Sequence, residues 1–210
     1  RMGYSNVSVL DGGINQWSTQ DFPTEWGSNV ISKVFGEKME VVHHVPEIDA
    51  TELHERIERG DKLVILDTRT PEEYQRFCIP GGRSVPGGEL ALRVTDITKD
   101  LAKDTTVIVN CAGRTRSIIG SQSLINAGIG NTVVALRNGT MGWRLTGMAL
   151  EKGQERQAQL PSPDGLTKAR ACSARVAERF GVRTIDRTTL DAWHEESDRH
   201  SLYLFDVRSP

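Results

Sequence analysis

Thr106-Val-Ile-Val-Asn110 runs directly into Cys111-Ala-Gly-Arg-Thr-Arg-Ser117, and a helical pattern begins immediately afterwards and ends at Gly128. Consecutive apolar residues suit a strand covered on both faces. A loop at the carboxyl end of such a strand is where open α/β sheets bind their ligands. Here the loop places one cysteine, one glycine, two arginines and two hydroxyls at the mouth of a helix. Unpaired N–H groups and the helix dipole favour a thiolate at that position, and Arg114 and Arg116 would add to the positive field. The same donors would hold an anion. The stretch predicts a nucleophilic-sulfur site that accepts a negatively charged partner. A buried, inert thiol is the alternative reading of Cys111, but it gives two neighbouring guanidiniums nothing to do.

Outward from this stretch, element types alternate. Ala50 to Arg59 reads as a helix, Leu63-Val-Ile-Leu66 as a short buried strand, and Pro71 to Phe77 as a short helix with proline in its first turn. Pro80-Gly-Gly82 and Pro86-Gly-Gly88 read as turns, Ser117 to Ala127 as a helix and Val133-Val-Ala-Leu136 as a third strand. Alternation of this kind predicts an α/β domain with a central, mostly parallel sheet flanked by helices on both faces. Two further segments keep helical spacing: Val30, Ile31, Val34 and Phe35, and Ala169, Cys172, Val176 and Phe180. Gln154 to Gly165, polar and carrying Pro161 and Pro163, reads as an extended linker.

Bulk properties narrow the function. With 37% hydrophobic and 26% charged residues, the 210-residue chain has the composition of a soluble globular protein, and no apolar run is long enough to cross a bilayer. No membrane partner is expected. A net charge of -2 gives no bulk attraction to nucleic acid, and the arginines near Arg175 have Glu178 among them and no interleaved aromatics, so a solvated helix face is the better reading. Cys78, Cys111 and Cys172 are odd in number, widely spaced and without zinc-ligand spacing, which suits a reduced, cytoplasmic setting. His43 and His44 read as linker residues.

The sequence also echoes itself. Leu204-Phe-Asp-Val-Arg-Ser-Pro210 matches Ile65-Leu-Asp-Thr-Arg-Thr-Pro71 position for position, and Ile185-Asp-Arg-Thr-Thr-Leu190 echoes Ile48-Asp-Ala-Thr-Glu-Leu53. Val9-Leu-Asp-Gly-Gly-Ile-Asn-Gln-Trp17 resembles Ala135-Leu-Arg-Asn-Gly-Thr-Met-Gly-Trp143. Spacings this long predict tandem domains rather than solenoid units. The expected division is the end of one copy at 1–27, a linker at 28–45, a complete copy at 46–150, a linker with a helix at 151–183 and the start of a third copy at 184–210. Counterparts of Cys111 in the partial copies would fall outside the chain, leaving one candidate active loop. The apolar segments Val7 to Leu10 and Leu202 to Phe205 are expected to pair as strands with each other or with a neighbouring chain.

These residues resemble the rhodanese family, and specifically its tandem members. The resemblance rests on Leu66-Asp67-x-Arg69-x-Pro71-x-Glu73-Tyr74, on Ile79-Pro80-Gly81 leading to Val85-Pro86, on the Cys111 to Ser117 loop, and more weakly on Gly139 to Trp143. It implies sulfur transfer through a cysteine persulfide, with no metal or organic cofactor. Carried onto this chain, Cys111 would take up sulfur and the main-chain N–H groups of Ala112, Gly113, Arg114, Thr115, Arg116 and Ser117 would cradle it. Arg116 would close the loop as a catalytic cation, Arg114 would face the anionic donor, and Arg69 would touch substrate or pair with Asp67. Expected partners are a small anionic, thiosulfate-like sulfur donor and a cyanide, thiol or thiol-protein acceptor. Cys78 stands where the family commonly has a histidine and could serve as a resolving thiol or as packing. Two other readings stay open: a non-catalytic sulfur carrier or redox-sensing module, and a cysteine-loop phosphatase. Phosphatases of that type place five residues between cysteine and arginine, whereas Cys111 and Arg116 enclose four.

Overall fold

A computed structural model describes residues 8–23, 30–196, 198–199 and 201–205. In chain order the elements are α1 (Gly13–Thr19), α2 (Ile31–His43), β1 (Glu47–Ile48), α3 (Ala50–Glu58), β2 (Leu63–Asp67), α4 (Pro71–Arg76), β3 (Arg83–Ser84), a short 3-10 turn at Gly87–Glu89, α5 (Leu90–Thr98), β4 (Thr106–Asn110), α6 (Thr115–Ala127), β5 (Val133–Leu136), α7 (Gly139–Leu145), α8 (Pro163–Arg179) and α9 (Arg187–Glu195). The five strands form one sheet in the order β1-β5-β4-β2-β3, and every pairing is parallel. This is the predicted sheet with flanking helices.

Strand β4 lies at the centre, and its successive side chains serve opposite faces. Val107 and Val109 join Leu66, Leu90, Val94 and Leu124 in one apolar cluster, while Ile108 joins Ile48, Leu53, Ile65, Leu136 and Trp143 in the other. That is why its apolar residues run without alternation. From β2 the chain proceeds to β3 on one side, and from β4 to β5 on the other. The crevice between the carboxyl ends of β2 and β4 is therefore the switch point at which such sheets bind ligands, and Cys111 follows β4 there.

Several departures from the sequence reading have physical causes. Strands β1 and β3 hold two residues each, too few to leave a periodic signal, and exist because β5 and β2 offer them partners. Helix α5 was not expected, although Leu90, Val94 and Ile97 keep helical spacing. The segment read as an extended linker lies against the sheet: the Ser84 N–H donates to the Arg156 carbonyl (2.8 Å), the Ala158 N–H to the Ser84 carbonyl (3.0 Å), and Ala158 enters the core. It covers the edge that β3 would otherwise expose. Ser162 then caps α8 by accepting from the Gly165 N–H at 3.0 Å, and Pro163 opens that helix. Residues 28–45, also read as a linker, hold α2, which packs along α6. A Cβ at Gly36 would lie 3.3 Å from the Thr115 Cα, so the close approach needs a small residue there. His43 ends α2 and His44 follows in the left-handed conformation. Ser8 to Leu10 and Leu202 to Phe205 form no strand among the described residues; Val7 lies outside them.

The internal echoes recur in local geometry. Asp49 caps α3 by accepting from the Glu52 N–H at 2.8 Å, and Asp186 caps α9 by accepting from the Thr189 N–H at 2.8 Å. The Trp143 indole donates to the Ala149 carbonyl at 2.8 Å, and the Trp17 indole to the Pro23 carbonyl at 2.9 Å. Gly139 and Gly13, which open α7 and α1, share positive φ values of 54° and 59°. What differs is burial, since Trp143 is 2% exposed and Trp17 36%.

Candidate active site

Cys111 is buried immediately beyond β4, and its thiol donates to the Ser117 Oγ at 3.5 Å. Ser117, also buried, donates its own hydroxyl to the Arg114 carbonyl at 2.8 Å. The loop between them turns so that the N–H groups of residues 112–117 have no acceptor among the described residues, and the first to find one is Ile118, which bonds the Arg114 carbonyl at 3.0 Å. These are the orphan donors of a helix start, extended backwards by the loop.

The N-terminus of α7 fixes the loop from outside. Thr140 donates its N–H to the Cys111 carbonyl at 2.9 Å and Met141 donates to the Ala112 carbonyl at 3.1 Å. With those carbonyls turned towards α7, the opposite edges of the same peptides are free to face the cysteine. Gly139 makes this possible. Besides its positive φ, a Cβ there would sit 2.2 Å from the Cys111 carbonyl oxygen. The weak Gly139 to Trp143 motif thus acquires a physical role, with Trp143 anchoring α7 in the core.

The three arginines expected at the site are all paired with carboxylates. Arg69 is 1% exposed; its Nε donates to the Asp67 Oδ1 at 2.9 Å and its Nη2 to the Asp67 Oδ2 at 2.7 Å and the Phe77 carbonyl at 2.7 Å. Asn110 donates to the same carboxylate at 2.9 Å. Of the two roles expected of Arg69, substrate contact or a pair with Asp67, the geometry has the pair, which joins β2, β4 and the segment after α4. Burial of two charges demands this saturation of their hydrogen bonds.

Arg114, expected to face a donor, reaches instead to Glu40 on α2, with Nη2 2.6 Å from Oε1. Arg116 forms a two-pronged pair with Glu73 on α4, at 2.6 and 2.8 Å. Glu73 is held doubly, because its carboxylate also accepts from the Thr70 N–H (3.1 Å) in a reciprocal capping box. The Arg116 guanidinium, with help from the Thr70 N–H, holds the Glu73 carboxyl down at about 2, and the same pairing raises Arg116. Glu40 and Glu73 are the site residues that sequence reasoning missed. Glu73 stood within a quoted motif without a role, and Glu40 lay in the presumed linker.

Cys78 is fully buried between Glu151 and Arg156, and burial is the main force pushing its thiol up. Its main chain pairs with Glu151 in both directions, at 2.8 and 2.9 Å. This is a packing position, without the exposure that a resolving thiol needs. Cys172 on α8 contacts the Ala127 carbonyl at 3.4 Å. An open cleft of about 490 Å³ lies beside Arg116, lined by Thr68, Pro71, Pro86, Gly87 and Ile119. Among the described residues no group of three or more His, Cys, Asp or Glu could hold a metal, and no helix is long and apolar enough to cross a membrane.

Comparison with known proteins agrees with this fold. Residues 49–146 match the model of the rhodanese-like domain. The crystal structure of a thiosulfate sulfurtransferase from Pseudomonas aeruginosa superposes over the whole chain with a TM-score of 0.78 and 48% identity, and the chain covers 39% of that protein. A sulfurtransferase from Allochromatium vinosum is 29% identical over 106 residues, half of this chain and 94% of the relative. The HTH-type transcriptional regulator Rv0324 of Mycobacterium tuberculosis is 32% identical over 106 residues, and the chain spans 45% of its length. Residues 49–146 of this chain are thus a rhodanese-like domain.

Proposed function

We propose that the chain is a sulfurtransferase in which Cys111 takes sulfane sulfur from a small donor, thiosulfate or a similar compound, and passes it to cyanide or a thiol. The observation that carries this reading is the run of N–H groups from 112 to 117 without acceptors, directly after a cysteine at the sheet's switch point. With thiosulfate, the Cys111 thiolate attacks the outer sulfur, the S–S bond breaks and sulfite leaves with the electron pair. The persulfide left on Cys111 is an anion that those N–H dipoles would stabilise without reorganising. An acceptor thiolate or cyanide then attacks the outer sulfur and restores the Cys111 thiolate. Incubation with thiosulfate and cyanide, followed by thiocyanate release, tests the proposal: Cys111→Ser should lose the activity, and equal rates for the two proteins would remove Cys111 from the mechanism.

The recurrence of an indole bond and a left-handed glycine near the N-terminal end, and of an aspartate helix cap near the C-terminal end, supports the reading of residues 1–27 and 184–210 as parts of neighbouring copies. A second function, a sulfur-carrying or redox-sensing module, draws on two relatives. One is Rv0324, and the other is the putative sulfur carrier protein YrkF of Bacillus subtilis, 29% identical over 99 residues. A stable sulfur adduct on Cys111 with negligible turnover against small acceptors would favour it. The phosphatase reading has no such support, because the four-residue gap is short and Arg116 is bound to Glu73.

A further inference from the structure

We propose that Glu40 and Glu73 are specificity-determining residues that cancel the charge of the loop arginines and set this site for a sulfane donor of low charge, an alkyl persulfide, over the thiosulfate dianion. The inference rests on the sulfur-transfer reading above and names its donor class.

Three cations surround the loop and three carboxylates answer them: Asp67 for Arg69, Glu40 for Arg114 and Glu73 for Arg116. None of the three is left as an unpaired charge to meet a substrate. The attraction that remains comes from main-chain dipoles, which act at short range and suit a single developing negative charge. Attack by a thiolate on thiosulfate brings one negative charge against two, and with the three described arginines paired that encounter is repulsive. A persulfide carries at most one negative charge, and in its protonated, reacting form R–S–S–H it avoids the repulsion. The Cys111 thiolate attacks the outer sulfur, the S–S bond to the alkyl sulfur breaks, and R–S⁻ leaves with the electron pair while the proton stays on the transferred sulfur. One negative charge enters and one leaves.

Glu40 comes from α2, outside the 49–146 domain match, so this part of the specificity is contributed by the preceding segment. The isosteric change Glu73→Gln keeps a capping acceptor for the Thr70 N–H, removes the charge and leaves Arg116 one acceptor oxygen in place of two.

The test loads Cys111 in single turnover from thiosulfate or from cysteine persulfide, read by mass, in the wild type, Glu40→Gln, Glu73→Gln and the double variant. Each single change should speed loading from thiosulfate by about threefold and the double change by about tenfold, as expected for releasing half-exposed ion pairs, with persulfide loading changed less than about twofold. In the wild type, thiosulfate loading should hold steady or rise with added salt, because screening relieves repulsion; this arm needs no variant to fold. Unchanged or slower thiosulfate loading in the folded double variant, or a steep fall of wild-type thiosulfate loading with salt, would overturn the proposal while leaving sulfur transfer intact. Failure of both donors to load wild-type Cys111 would overturn sulfur transfer itself and this proposal with it.

Discussion

Arg69 and Arg116 each grip a carboxylate with two nitrogens, yet the two pairs live in different media. The Arg69 and Asp67 side chains are 1% and 2% exposed, tied further by Phe77 and Asn110, whereas Arg116 and Glu73 are 42% and 35% exposed. In the first pair the desolvation of both charges is offset only because every prong is bonded, so its removal damages the fold. In the second, water screens both partners, and the pair contributes little stability. It can be changed without unfolding the protein, which is what a specificity element requires. The same chemical motif thus serves as a structural tie where it is dry and as a charge control where it is wet.

The sharpest way to break the contrast is at the dry pair. Asp67→Ala leaves the Arg69 guanidinium buried without a counter-charge and should lower unfolding free energy by about 3–5 kcal/mol in denaturant titration. A loss under about 1 kcal/mol would mean that the two pairs are alike. Gly139→Ala comes next. Its Cβ would meet the Cys111 carbonyl at 2.2 Å in a left-handed backbone, so the loop must shift. We expect a stability loss of about 2–3 kcal/mol and a fall in sulfur loading of at least about tenfold, measured by melting and by single turnover. The smallest effect lies at the wet pair. Because the folded protein holds the Glu73 carboxyl down at about 2, against an ordinary value of 4.5, its stabilising contribution is complete above about pH 4.5 and is lost as pH falls through about 2. Glu73→Gln should flatten this acid limb by under about 1 kcal/mol, the shift being discounted for exposure, and leave stability near pH 7 changed by a similarly small amount. A loss near pH 7 as large as that of Asp67→Ala would erase the distinction.

The contrast also marks what the sequence could and could not reveal. Val133–Leu136 and the Gly128 end of α6 were legible because apolar runs and left-handed caps are local signals. The cysteine loop was legible for the same reason, as strand, turn and helix start follow one another within a dozen residues. The ion pairs were not. Glu40 lies 74 positions from Arg114 and Glu73 lies 43 from Arg116, separations that only the completed sheet brings together. Reading Arg114 and Arg116 as free cations followed from seeing one loop without its neighbours. Residues 156–158 were read as linker because nothing in Arg156-Gln-Ala158 signals that the β3 edge will accept them.

The internal echo carries the same lesson at larger scale. Trp143 and Trp17 make equivalent indole bonds six residues ahead, so local sequence sets the turn in both places. Among the described residues, Trp143 lies in a core cluster and Trp17 does not.

Whether Cys111 accepts sulfur is tested most directly by the mass of the intact chain after brief exposure to a sulfane donor, followed by peptide mapping. The account predicts one added sulfur per chain, confined to the peptide bearing Cys111 and absent in Cys111→Ser. Sulfur found on Cys78 or Cys172, or none on Cys111, would contradict it.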